Sequence, residues 1–271
     1  MTTSSDPAPV TEGIEIPLPG GMGSGGLVVR VGDTVRRPIV AQTAPVEAFL
    51  SHLASVGFDG APEPLGRDAR GRSILTWMPG DVGLPPFPAW VATDEALVSV
   101  ALLQRRMHDA SRSFAFRPLA PWYRPNLPDA GPGAIVCHND LCVENVVLVD
   151  GRASAFIDFD FSAPSDPLLD IAIACRHWVP FKDPVDVVDG FAGVDQMRRF
   201  ALFCDAHGLS ETQQAEVVAH GLGFLDRALV TMHAKANEGL PLYVAVWENG
   251  YEKQNRRSHE WLRRFGETLL R

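Results

Sequence analysis

The side chains best suited to chemistry lie between residues 138 and 170. His138-Asn139-Asp140 follows the apolar residues 134–137, and Asn145 opens a second apolar run that ends at Val149. Asp150-Gly151 reads as a hairpin turn, after which residues 153–157 run into Asp158 at a strand end. An aspartate, an asparagine and a second aspartate can therefore converge on one side of a strand pair. Transfer of a phosphoryl group asks for such a set: a carboxylate near the attacking hydroxyl, and oxygen ligands that hold magnesium on the phosphates. The D-x-x-x-x-N spacing supplies both. Asp140 would accept or orient the acceptor's proton, while Asn145 and Asp158 would hold magnesium through the hard oxygens it prefers. His138 would brace the loop rather than react.

These motifs resemble the catalytic core of the aminoglycoside phosphotransferase and choline kinase superfamily, relatives of the protein kinases. Its signatures are H-x-D-x-x-x-x-N, then I-D-F or I-D-W, then D-P-x-x-D-[LI]-A, and His138, Asp140, Asn145, Asp158, Asp166, Pro167 and Asp170 each occupy a motif position. Only eleven residues separate Asp158 from Asp170, which leaves no room for the long activation segment of a protein kinase. Asp166 reads as a helix N-cap with Pro167 in the first turn. Asp170 resembles the family's structural aspartate, which ties that helix to the catalytic loop. The resemblance implies an α+β, bilobal protein-kinase-like fold, with a small antiparallel N-lobe, a mainly helical C-lobe and ATP or GTP between them with magnesium.

Other readings of the same residues are weaker. His138 and Cys142 have i, i+4 spacing, but no second ligand pair follows for zinc. Asp158-Phe-Asp160 resembles the D-x-D motif of haloacid dehalogenase phosphatases, yet it arrives after half the chain and behind a kinase-type loop. Asp160 is read as accessory. G-x-x-x-x-G-K-[ST] is absent, which excludes a P-loop kinase.

The elements that must position this set begin near residue 14. Residues 14–18, 27–31 and 34–40 read as three antiparallel strands, with Gly21, Gly23 and Gly25 in a loop suited to covering phosphates. Residues 1–13 are expected to be flexible, 14–78 to form the nucleotide-covering lobe, and 79–271 the catalytic and substrate-binding lobe. A kinase carries a lysine on the third strand, whereas TVRRPIV offers only Arg36 and Arg37. Because strand side chains alternate, Arg37 is assigned to the lysine position, with Glu47 of the next helix as its partner, and Arg36 is expected to face away and be replaceable. Residues 45–56 have helical apolar spacing, and 73–78 read as a strand that leads into a hinge, where Trp77 and Met78 would border the nucleotide. Thr93 and the Ser210-x-x-Gln213 box mark two helix starts, the second ahead of a long amphipathic helix.

With 33 acidic against 24 basic residues, the net charge of −9 argues against nucleic acid and favours a cationic acceptor such as an aminoglycoside or another basic antibiotic. Asp226, Glu248 and Glu252 are the acids expected to meet it. Choline, homoserine, methylthioribose and fructosamine kinases are sibling readings, and a catalytically silent binding module is the rival one. The four cysteines lack C-x-x-C spacing and are read as reduced, cytoplasmic thiols. No run of apolar residues is long enough to span a membrane, and no signal-peptide pattern opens the chain.

Overall fold

The computed structural model describes residues 13–18, 27–117 and 120–269. All but the last residue of the segment 1–13 expected to be flexible, and the glycine loop with Gly21, Gly23 and Gly25, lie outside the described residues. The N-terminal sheet holds β1 (Ile16–Pro17), β2 (Val29–Val31), β3 (Thr34–Arg37), β4 (Pro64–Arg67) and β5 (Ser73–Thr76), all antiparallel in the order β1-β2-β3-β5-β4. Val31 pairs with Thr34 across a two-residue turn, where Gly32 at φ 57° supplies the left-handed conformation that such hairpins need. Helix α1 (Thr43–Ser55) follows β3 and buries Val46, Phe49, Leu50 and Leu53, the spacing expected of one apolar face.

After Met78 the chain crosses to the second lobe through β6 (Asp81–Val82), which pairs with a strand of that lobe. At the crossing Gly80 has φ 140°, and a Cβ there would stand 2.4 Å from the Leu148 carbonyl oxygen, so only glycine fits. Helix α2 (Asp94–Ser111) starts under a Thr93 cap that accepts from Ala96 N–H, with Asp94 and Glu95 in its positive first turn. Strands β7 (Ile135–Cys137), β8 (Val146–Val149), β9 (Arg152–Phe156) and β10 (Ala163–Ser165) form two small sheets, β6-β8-β9 and β7-β10.

The rest is helical: α3 (Pro167–Trp178), α4 (Gln196–His207), α5 (Glu211–Asn237), α6 (Pro241–Glu248) and α7 (Tyr251–Leu269). Helix α5 opens on the complete Ser210–Gln213 capping box and packs against α3, α6 and α7, while α4 packs on α2. A core of Leu97, Val136, Phe156, Trp178, Phe181, Phe200 and Phe203, all essentially inaccessible, joins these helices to β7, β8 and β9. Burying that much aromatic and branched surface is what holds short, irregular loops at fixed positions. Among the described residues no helix is long and apolar enough to cross a membrane, and all four cysteines are unpaired.

Candidate active site

The loop between β7 and β8 turns at Asn139, whose φ of 61° lies in the left-handed region that asparagine tolerates better than most residues. Its side chain secures the turn. Nδ2 donates to the carbonyls of Cys137, Phe161 and Ala163 at 3.2, 3.3 and 3.1 Å, and Oδ1 accepts from Ser165 Oγ at 2.7 Å. Asp170, fully buried in the first turn of α3, accepts the Asn139 backbone N–H at 2.6 Å and Gln104 Nε2 at 2.8 Å, with His108 Nε2 at 2.7 Å. Burial alone would raise the pKa of this carboxyl, but the bonds from His108 and Gln104 hold it below the ordinary carboxylate range. Asp166 caps the same helix by accepting from Leu168 N–H, with Pro167 in the first turn.

His138 is buried, donates Nε2–H to the Ile157 carbonyl at 3.0 Å, and packs on Phe159 with ring centres 4.6 Å apart. Burial pushes its pKa down, so the ring is neutral and joins the loop to the end of β9. Its Nδ1 is buried without a partner. A second tie runs parallel to it, from Ile157 N–H to the Asn145 carbonyl at 2.9 Å. Together they set Asp158, at φ 58°, beside the loop.

Asn145 donates Nδ2–H to both the backbone oxygen and Oδ2 of Asp140, at 2.8 and 3.0 Å. Burial first, and the charge of Asp158 second, push the pKa of Asp140 up to about 7, while Asn145 and Arg176 pull it down. The structure thus brings Asp140, Asn145 and Asp158 together. The donor set fits a hard divalent cation: Asn145 spends its amide nitrogen on Asp140, which leaves its carbonyl oxygen free, and the Asp158 carboxylate is 40% exposed. A bound cation would relieve the repulsion that the Asp158 charge exerts on Asp140.

Arg37 reaches across from β3 to this cluster, with Nη2 3.4 Å from Asp158 Oδ1 and bonded to Asp160 Oδ2. It does not pair with Glu47, contrary to the sequence expectation. Glu47 is gripped through both oxygens by Arg67 at 2.6 Å and also bonds Ser73 Oγ. Strand β4, which carries Arg67, was not anticipated, and a guanidinium on β3 is long enough to pass Glu47 and meet the carboxylates beyond it. Arg37, Glu47, Asp158 and Asp160 nevertheless line one small cavity of about 20 Å³ between the lobes. Trp77 and Met78 lie outside its lining: Trp77 is covered by the Arg30 guanidinium at 4.3 Å, and the Met78 sulfur lies 4.0 Å from Thr76 Oγ1.

Arg36 requires a further correction. It does face away from Arg37, but it is only 3% exposed, donates to Thr34 Oγ1 at 2.5 Å and stands 3.9 Å from Asp68. The outer face of this sheet is covered rather than solvated. As for the acids expected to meet a cation, Asp226 faces His259 at 3.4 Å, Glu252 accepts from Arg256 at 2.8 Å one turn on, and Glu248 is exposed. Gln104, His108 and Asn139 were missed as loop-holding residues. Only the i, i+4 spacing of the first two on α2 could have suggested that they share a partner.

Residues 112–204 match the phosphotransferase enzyme family. The trifolitoxin immunity protein of Rhizobium leguminosarum bv. trifolii is 29% identical over 260 residues, which cover 89% of this chain and 93% of that protein. In fold the chain is similar to a choline/ethanolamine kinase family protein from Mesorhizobium loti, with a TM-score of 0.62 at 19% identity over 93% of this chain and 92% of that one. It is also similar to aminoglycoside 2'-phosphotransferase-IIIa in its GDP complex, with a TM-score of 0.59 at 14% identity over 91% and 94%. Residues 112–204, which carry the ordered motifs, are thus similar to the phosphotransferase enzyme family, and the likeness to the two solved structures shows a bilobal kinase-like fold.

Proposed function

We propose that this chain transfers the γ-phosphoryl group of ATP or GTP to a hydroxyl of a small molecule, with residues up to about 78 covering the nucleotide and the remainder supplying the catalytic loop. The observation that supports this reading best is the position of Asp140. Its carboxylate is held by Asn145, titrates near neutrality and feels the charge of Asp158. A base poised at about 7 is matched to accepting a hydroxyl proton at physiological pH. Asn145 and Asp158 would hold magnesium, which when bound neutralises charge on the phosphates during transfer. Arg37, at the edge of the cleft between the lobes, is the cation placed to meet a phosphate, and its fork suits two phosphate oxygens better than a lysine would. His138, Asn139 and Asp170 keep the loop in its conformation and touch no reactant.

The test is transfer itself. The protein is incubated with γ-labelled ATP or GTP, magnesium and a panel of hydroxyl compounds, cationic, neutral and anionic, and the products are resolved by mass spectrometry. Label in an acceptor, with one nucleoside diphosphate released per transfer, is the expected result. Tight nucleotide binding with no transfer and no hydrolysis across the panel would favour the silent binding module.

A further inference from the structure

A second cavity, of about 110 Å³, is enclosed by the end of α3, the segment that follows it, α5 and the start of α7. Its wall carries Arg176 and Lys182, and neither side chain makes a hydrogen bond or ion pair with any described residue. Arg176 rests on the ring of Phe224 at 4.8 Å, an apolar support that leaves its hydrogen-bond donors unused. The acid on the same wall, Asp186, is already neutralised: Arg257 grips both its oxygens, at 2.8 and 2.5 Å. Tyr251, Gln254 and Ser258 add only neutral polar groups. The cavity therefore gathers two positive charges with no free acid in its own lining, and the other acids that act on them, Asp140 on Arg176 and Glu144 on Lys182, stand outside it.

The arrangement is costly for the folded chain. Burial, and then the charge on Arg176, holds the Lys182 ammonium below its ordinary pKa, so the two cations are near enough to repel. Two neutral side chains would pack there with less penalty, and an anion entering from outside would offset it. The location points to what that group belongs to. Trp178, two residues beyond Arg176, donates its indole N–H to the Leu141 carbonyl at 3.0 Å, next to Asp140 in the chain. Arg176 is also close enough to draw down the pKa of Asp140.

We infer that this cavity is the acceptor pocket and that it receives an anionic end, a carboxylate or a phosphate, of the hydroxyl-bearing substrate. The inference rests on the kinase reading for the word acceptor, and it runs against the cationic substrate expected from net charge. Asp226, Glu248 and Glu252 do not line the cavity, so the acids counted for that expectation are not those an acceptor here would meet.

The experiment needs no knowledge of the substrate. The full chain and the variants Lys182→Gln and Arg176→Gln are melted at constant ionic strength in chloride, then with acetate or with inorganic phosphate replacing chloride. One or both anions should raise the melting temperature of the parent protein by roughly 2 °C or more and leave both variants unmoved, with Lys182→Arg restoring the effect. Acetate alone would identify a carboxylate, and phosphate alone a phosphate ester. Equal shifts in parent and variants, or none in any, would overturn the inference. Should Arg176→Gln fail to fold, Lys182→Gln decides by itself. Magnesium-nucleotide binding by the parent is measured apart, and its absence would count against the kinase reading, not against the pocket.

Discussion

Asp140 can accept a proton only while charged, and its pKa of about 7 places that requirement in the physiological range. Acceptor phosphorylation, followed as kcat/KM, should rise with pH through neutrality and level off above it. Magnesium beside Asp158 would favour the charged form, so the rising limb should move to lower pH as magnesium is raised. A profile flat from about pH 5.5 to 8.5 would contradict the assignment. Stability carries the opposite sign. The folded pKa lies above the unfolded value of about 3.9, so the folded chain binds the extra proton, and stability falls as pH rises between about 4 and 7. Asp140→Asn, which cannot ionise, should therefore melt a few degrees above the parent at pH 8 and level with it near pH 4 in differential scanning calorimetry.

The two arginines of β3 separate at this same scale. With Arg37 serving the phosphates, Arg37→Ala should lose roughly 10- to 150-fold in nucleotide affinity, the worth of a charge-assisted bond. Arg36→Ala should keep that affinity and melt lower, because Arg36 is buried against Thr34 and Asp68. Titration calorimetry and thermal melts on both variants read the two effects separately. Unchanged nucleotide affinity in Arg37→Ala would leave the phosphates to magnesium and the glycine loop.

Among the elements, the loop between β7 and β8 is an irregular segment bonded to side chains of α3 and β10. Asp170 is its central fastening, joining α3 to Asn139 and, through Gln104 and His108, to α2. Asp170→Ala would strand three buried polar groups and should cost about 3 to 5 kcal/mol, against about 1 kcal/mol for Asp166→Ala, which removes a cap and a half-exposed contact with His220 at 3.5 Å. Urea denaturation of both variants checks the ranking, and an equal loss would mean that the fastening is not central. Caps and turns were legible in the sequence because their causes are local: Thr93, Ser210 with Gln213, Asp166 with Pro167, and Gly32 each act within a few residues. Strand β4 was not, since Pro-Leu-Gly-Arg has no apolar alternation and pairs only at a sheet edge with a register shift. The pairing of Glu47 with Arg67 depends on that strand and was hidden with it.

At the scale of the whole molecule, the order of motifs announced the bilobal fold and the residues gathered at the cleft, because kinase-type spacing leaves few ways to bring Asp140, Asn145 and Asp158 together. Net charge points to a different acceptor from the one proposed for the cavity. The total of −9 is spread over outer helix faces, where acids pair with neighbouring arginines, while the cavity near the loop is positive. Arg176 and Lys182 are near each other in the chain, but α5 and α7 close the cavity around them, and no local pattern displays that. Phosphoryl transfer at Asp140 is tested most directly by turnover of Asp140→Asn beside the parent protein, with magnesium-nucleotide affinity measured on the same samples. Transfer should fall by at least about 100-fold while nucleotide affinity stays within a few-fold of the parent. Equal turnover by the two proteins would show that the proton is accepted elsewhere.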